Sequence, residues 1–286
     1  MNVQNIINEI ETVDPEIYDR LDTRRTAMQQ FVKASGKIAL AAIPMAFGSM
    51  LKKAYGQTNS DVVNTVKFAL TLEYLEAEFY TKAVQNAAGI GITGAALGAM
   101  TTIRDHENAH VALLQAALAA LGGGTLAKPT FDFSGGNGSG TGPFATALTN
   151  NYDLFLAVAQ TFEDTGVRAY KGSAGTLINN NDVLQAALQI HSVEARHAAH
   201  IRYMRRNRGA AGGALYVGNA KPWIVQNQSN IGSTAVQASY NGEDVLLQAG
   251  VNIQTIGGVS ADAATASFDE PLTQVQVLAI VDPFIV

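Results

Sequence analysis

The sequence contains no cysteine. Disulfide bridges, thiolate metal sites and cysteine nucleophiles are thereby excluded, while the cellular compartment stays open. A basic balance is missing too. The formal net charge is −5, so no nucleic-acid partner is expected. Nor is there a long apolar run. Residues 38–51 are mostly apolar and uncharged, but a spanning helix needs about 20 residues, so no stable membrane span is expected. What is present is 286 residues with 47 % hydrophobic side chains, enough for a core in one large domain or two smaller ones. Any metal site must be built from carboxylate and imidazole, donors that suit iron, manganese or zinc.

Such donors occur in a repeated pattern. Residues 190–200 read I-H-S-V-E-A-R-H-A-A-H, and residues 103–110 read I-R-D-H-E-N-A-H. In each, a glutamate precedes a histidine by three positions: Glu194 and His197, Glu107 and His110. On a helix that spacing puts both side chains on one face, one turn apart, where they can grip one ion. An isoleucine stands four positions before each of these glutamates. Upstream of each pair lies a further carboxylate: Glu73, seven positions before Tyr80, and Glu163, seven before Tyr170. Seven residues is nearly two turns, so each Glu shares a face with its Tyr. Glu73 precedes Glu107 by 34 positions, and Glu163 precedes Glu194 by 31. Two similar helical hairpins can therefore bring both sets to one depth. Four glutamates buried together without a cation would repel and would mostly have to protonate. A pair of divalent ions removes that conflict.

Several neighbours compete for these roles. Asp164 adjoins Glu163, and the register with Tyr170 selects Glu163. Glu76 and Glu78 compete with Glu73, which the match between the halves selects. Glu76, one turn on and near the same face, either backs the ligands or is solvated. Tyr80 and Tyr170 are the candidate catalytic residues: they hydrogen-bond ligand carboxylates, or they pack in the core with satisfied hydroxyls. His191 and His200 flank the second motif and are expected at its rim. His106 is expected to face away from the ligands. Arg104, Arg168 and Arg196 are expected on a solvated face.

Asn59, Ser60 and Asp61 offer N-cap chemistry for a helix over residues 62–88, which Gly89 and Gly91 stop. A second helix is expected over residues 93–121. Residues 122–142, rich in Gly, Ser and Thr, are long for a loop in a compact domain and serve as a crossover. A third helix is expected over residues 143–170. Gly172, Gly175 and residues 179–181 form the next turn, and Asp182 caps a fourth helix ending near Arg208. From Gly209 the composition changes. Residues 245–256 alternate like one or two strands. Pro271 is expected to start a short helix through about Val281, ended by Pro283. This extension, residues 209–286, reads as a cover for the bundle or a subunit contact.

Residues 1–57 read as an N-terminal arm or an export segment. A short amphipathic helix over residues 2–22 is followed by Arg24-Arg25, the apolar stretch and the small-residue end Ala54-Tyr55-Gly56. That is the order of a twin-arginine export signal. Export to the periplasm or beyond is expected, with a retained arm on a cytoplasmic protein as the alternative.

The body, residues 58–208, resembles the ferritin-like superfamily, and most of all its branch that includes desiccation-related proteins. The phrases L-E-Y-L-E-A-E-F-Y, H-E-N-A-H and V-E-A-R-H-A-A-H carry the resemblance, and residues 268–284 are similar to the tail of that branch. The resemblance implies a mainly α fold: an antiparallel four-helix bundle with one long crossover, here followed by a small strand-containing extension. It implies a dinuclear centre of two iron or two manganese ions held by Glu73, Glu107, His110, Glu163, Glu194 and His197. The expected activity is that of an oxidoreductase acting on iron, dioxygen or peroxide in stress protection, as a di-iron ferroxidase or peroxidase. A manganese catalase and a non-enzymatic metal-binding or desiccation-protective protein are the alternatives. A homodimer is expected rather than a storage cage, because the extensions at both ends add bulk.

Overall fold

The computed structural model describes residues 60–248, 250–256 and 258–286. Asn59 and the expected features of residues 1–57 lie outside the described residues.

Four long helices form the body: α1 (Ser60–Gln85), α2 (Gly94–Ala120), α3 (Tyr152–Ser173) and α4 (Asn181–Arg208). α1 packs along α2, and α3 along α4. The turn between α1 and α2 holds a single helical turn, Ala87–Ile90, closed by Gly91 at φ 92°, a conformation that favours glycine. Phe79 of α1 ties the two pairs together. Its ring stacks on Phe155 at 5.3 Å and meets Phe162 edge-on at 5.1 Å. Among the described residues, no helix is long and apolar enough to cross a membrane.

The boundaries differ from expectation where capping chemistry decides them. α3 begins at Tyr152, not near Pro143, because Asn151 supplies the cap: its side chain accepts from the Leu154 N–H at 3.0 Å. Residues before it turn rather than coil into helix. Asn180 rather than Asp182 caps α4, accepting from the Val183 N–H at 3.1 Å. Asp182 lies in the first turn, where its charge complements the helix dipole. Gly172 belongs to α3 rather than to the following turn. It admits a close approach of the C-terminal segment, since a Cβ there would lie 1.9 Å from the Leu272 carbonyl oxygen.

α3 is buried at every position from Leu154 to Tyr170. A helix closed off on all sides needs a covering layer, and the extension supplies it. Polar residues Gln160, Asp164 and Arg168 recur at helical spacing and meet that layer. Gln160 donates to the Ser229 carbonyl at 2.9 Å and to the Tyr240 hydroxyl at 3.0 Å. Tyr240 donates to Asp164 at 2.8 Å. Arg168 donates to the carbonyls of Ser239, Asn241 and Glu270 at 2.6, 2.9 and 2.7 Å and pairs with Glu243 at 2.6 Å. Arg168 is thus a buried clamp on the extension, not part of a solvated face.

The extension holds a two-stranded antiparallel ribbon, β1 (Leu247–Gln248) with β2 (Val251–Asn252). Its last helix, α5 (Gln274–Val281), begins behind a capping box of Thr273 and Gln276, three residues past Pro271. The tail then closes the crossover onto the bundle. Phe284 stacks on Phe144 at 5.6 Å and meets Phe162 edge-on at 4.9 Å. The Asp132 N–H donates to the Phe284 carbonyl at 2.8 Å.

Candidate metal centre

Each helix of the bundle turns one carboxylate inward: Glu73 from α1, Glu107 from α2, Glu163 from α3 and Glu194 from α4. All four are fully buried. The three-residue spacing stacks His110 beside Glu107 on α2, and His197 beside Glu194 on α4, and both rings are also buried. The structure therefore brings all six repeated donor residues together.

They form two sets that share members. One is Glu73, Glu107, His110 and Glu194; the other is Glu107, Glu163, Glu194 and His197; in each, one donor atom per residue lies within 4.8 Å of all the others. Glu107 and Glu194 belong to both sets. His110 Nδ1 stands 3.1 Å from Glu73 Oε2, 3.1 Å from Glu107 Oε2 and 3.2 Å from Glu194 Oε1. His197 Nδ1 stands 2.9 Å from Glu107 Oε1 and 3.2 Å from Glu163 Oε2. Both imidazoles turn the same nitrogen inward.

These groups fit the binding of metal ions. Glu107 Oε1, Glu163 Oε2, both Glu194 oxygens and His197 Nδ1 are buried with no hydrogen-bond partner among the described residues. The short His197–Glu107 approach is thus proximity without an aligned hydrogen bond. Buried, unpartnered carboxylate oxygens are costly, and ions between the two sets would satisfy them together.

The charge states reflect this crowding. Burial pushes the Glu73 carboxyl up to about 7, although the His110 imidazole pulls the other way. Burial also raises Glu163 well above the usual carboxylate range, against the pull of His197. Glu107 is pushed upward by burial and by Glu194, yet the adjacent His110 and His197 imidazoles outweigh this and leave its pKa lowered. Burial acts downward on His197, but Glu163 and Glu107 carry it up to about 11. His110 is raised well above its ordinary value against the same opposition from burial, chiefly by Glu73.

The tyrosines pair crosswise. Tyr80 of α1 donates its hydroxyl to Glu163 Oε1 of α3, and Tyr170 of α3 donates to Glu73 Oε1 of α1. Each Tyr therefore serves the glutamate of the opposite hairpin, not the one seven residues before it. Burial, then the adjacent carboxylate, holds both hydroxyls well above the usual phenol range.

A model of the family described as Ferritin-like domain matches residues 61–207, just over half of the chain. The chain belongs to the ferritin-like domain family. No curated protein and no solved structure matches it.

One residue around this ferritin-like centre differs from expectation, and another resolves an open choice. His106 is exposed, yet its Nδ1 lies 2.9 Å from Nε2 of His197, the ring nitrogen that faces away from the carboxylates. A partner there fixes the orientation of such a ring. The adjacency of His106 to Glu107 in sequence suggested the opposite direction and gave no sign of this contact with α4. Glu76 is buried beside the centre rather than solvated; its one-turn spacing from Glu73 was the available signal. Asp164 turns away from the centre and pairs with Arg202 at 2.6 Å. Arg196 and His200 are exposed. Arg104 pairs with the adjacent Asp105 at 2.7 Å. His191 is half-buried, and its Nδ1 lacks a hydrogen-bond partner among the described residues.

Proposed function

We propose that this chain is a dinuclear metal-carboxylate oxidoreductase that acts on iron, dioxygen or peroxide. The observation that carries the reading is the sharing of Glu107 and Glu194 between two otherwise separate donor sets. Shared carboxylates suit two adjacent ions, whereas a lone structural ion would need one set only. Glu73 and His110 would hold one ion, Glu163 and His197 the other, with Glu107 and Glu194 between them.

Two iron or two manganese ions in such a site supply electron exchange with dioxygen or peroxide. The chain's own part is to hold the ions, to keep protons at defined places and to exclude bulk water. Tyr80 and Tyr170 each hold their own hydroxyl proton against one carboxylate oxygen, of Glu163 and of Glu73 respectively. His197 has its outward nitrogen beside His106, which keeps Nδ1 available to the centre. The zero exposure of all four glutamates leaves their charges unscreened, so charge changes within the centre are felt strongly.

Iron(II) oxidation under air and oxygen release from peroxide, run on iron-loaded and manganese-loaded protein, test this reading. Fast iron oxidation or peroxide consumption by the iron form assigns a di-iron enzyme. Rapid oxygen release by the manganese form alone assigns a catalase. Neither activity in protein carrying two ions per chain would overturn the enzymatic reading.

A further inference from the structure

Trp223 is the single tryptophan of the chain, and it is 51 % exposed. It lies in the C-terminal extension, which contributes no residue to either donor set. Its indole makes no ring contact and no hydrogen bond among the described residues. A large aromatic ring left in water forgoes the burial that usually stabilises it. Trp223 stands instead in the wall of a cleft of about 720 Å³, a volume usual for small-molecule sites.

One wall is the loop over residues 219–230, and the other is the short helix Ala261–Thr265 with the residues at its ends. The walls are fixed to each other. The Gln226 N–H donates to Thr265 Oγ1 at 2.9 Å, and the Gln226 side-chain amide donates to Asp262 Oδ1. An antiparallel bridge between Val225 and Gln228 closes the loop. Gln226 and Asn230 hold positive φ values of 50° and 56°, which are unfavourable for residues other than glycine. The cleft is therefore preformed, which lowers the ordering cost of binding.

The polar groups on its walls are not used by the fold. The side chains of Asn219, Lys221 and Gln228 make no hydrogen bond or ion pair among the described residues, and Asp262 engages one carboxylate oxygen only. Amides offer a donor and an acceptor together, lysine only donors and aspartate only acceptors. Lys221 and Asp262 offset each other in charge, so the cleft favours neither an anion nor a cation. A nucleotide would bring phosphate to a lysine already balanced by a carboxylate. What the walls complement is a neutral molecule with one flat apolar face and an edge of hydroxyl groups. A sugar ring has that form. Its C–H face suits the indole, and its neighbouring hydroxyls, each both donor and acceptor, suit the amides, Lys221 and Asp262.

We propose that this cleft is a saccharide-binding site, with Trp223 as the stacking platform and Asn219, Lys221, Gln228 and Asp262 as the hydrogen-bonding edge. It includes no donor of the metal centre, so it stands or falls independently of the dinuclear reading.

Because the chain has one tryptophan, the intrinsic indole fluorescence of the full-length protein reports on this cleft alone. The probes are maltose, cellobiose, lactose and sucrose, with inorganic phosphate and choline as charged comparisons. At least one disaccharide is expected to give a saturable change in the millimolar range or tighter, and phosphate and choline none. Calorimetry with that sugar then reads two variants, with their fold checked by circular dichroism. Trp223→Ala, at an exposed position, is expected to weaken binding at least about tenfold. Asp262→Asn keeps an acceptor oxygen toward Gln226, removes the charge and is expected to weaken binding about fivefold or more. No saturable change with any disaccharide up to about 100 mM would overturn the assignment. So would saturation by phosphate or choline instead, or parent-like affinity in both variants.

Discussion

Tyr80 on α1 donates a hydrogen bond from its hydroxyl to Glu163 on α3, across the interface between the two helical hairpins. The mirror contact, Tyr170 to Glu73, runs the other way. The repeat thus interlocks rather than merely stacks. Tyr80→Phe and Tyr170→Phe each leave a fully buried glutamate oxygen without its donor. Each is expected to destabilise the metal-free protein by about 1–3 kcal/mol, measured by denaturant unfolding. The two losses should be alike, because the two contacts are equivalent.

Glu107 and Glu194 appear in both donor sets, whereas Glu73 and Glu163 appear in one each. Glu107→Ala or Glu194→Ala is therefore expected to abolish tight binding of both ions. Glu73→Ala or Glu163→Ala should leave one. Elemental analysis after anaerobic loading reads these counts directly. Equal loss in all four variants would contradict the division into shared and terminal carboxylates.

Asp132 organises the crossover. It accepts from the N–H groups of Ser134, Gly138 and Gly140 at 2.9, 2.9 and 3.1 Å. Hydrogen bonding to Ser134 leads in drawing its carboxyl down to about 2 from 3.8. Because the folded value lies below the unfolded one, this stabilisation is complete above 3.8 and is lost as the pH falls toward about 2. Asp132→Asn is expected to unfold more easily than the parent near neutral pH. The difference should shrink as pH falls through that window, as read from denaturation midpoints at a series of pH values.

Arg168 joins α3 to four separate points on the extension. Arg168→Met leaves Glu243 buried without its cation and is expected to cost about 3–5 kcal/mol. Limited proteolysis should then cut first within residues 239–270, while the bundle helices stay intact.

The sequence made the bundle legible because its signals were local and repeated. Glu-x-x-His and Glu…Tyr each occur twice at helical spacing, so the faces of four helices could be read before their packing was known. The crossover showed itself by glycine content. What stayed hidden depends on contacts distant in sequence. Arg168 looked solvated because nothing in α3 reveals that residues 239–270 return to cover it. The partner of each tyrosine lies on another hairpin, a fact that spacing along one helix cannot contain. Glu76 and His106 were ambiguous for the same reason, since the burial of one and the His197 contact of the other are made by other helices. The start of α3 was misplaced because Pro143 is a good opening residue, but Asn151 supplies the side-chain oxygen that satisfies the first turn.

The most direct measurement is the metal content of the protein purified from its own source, counted per chain. Two ions per chain, iron or manganese, is the expected result, since two donor sets share two carboxylates. Protein that carries no metal and takes up none under anaerobic reconstitution would contradict the dinuclear centre.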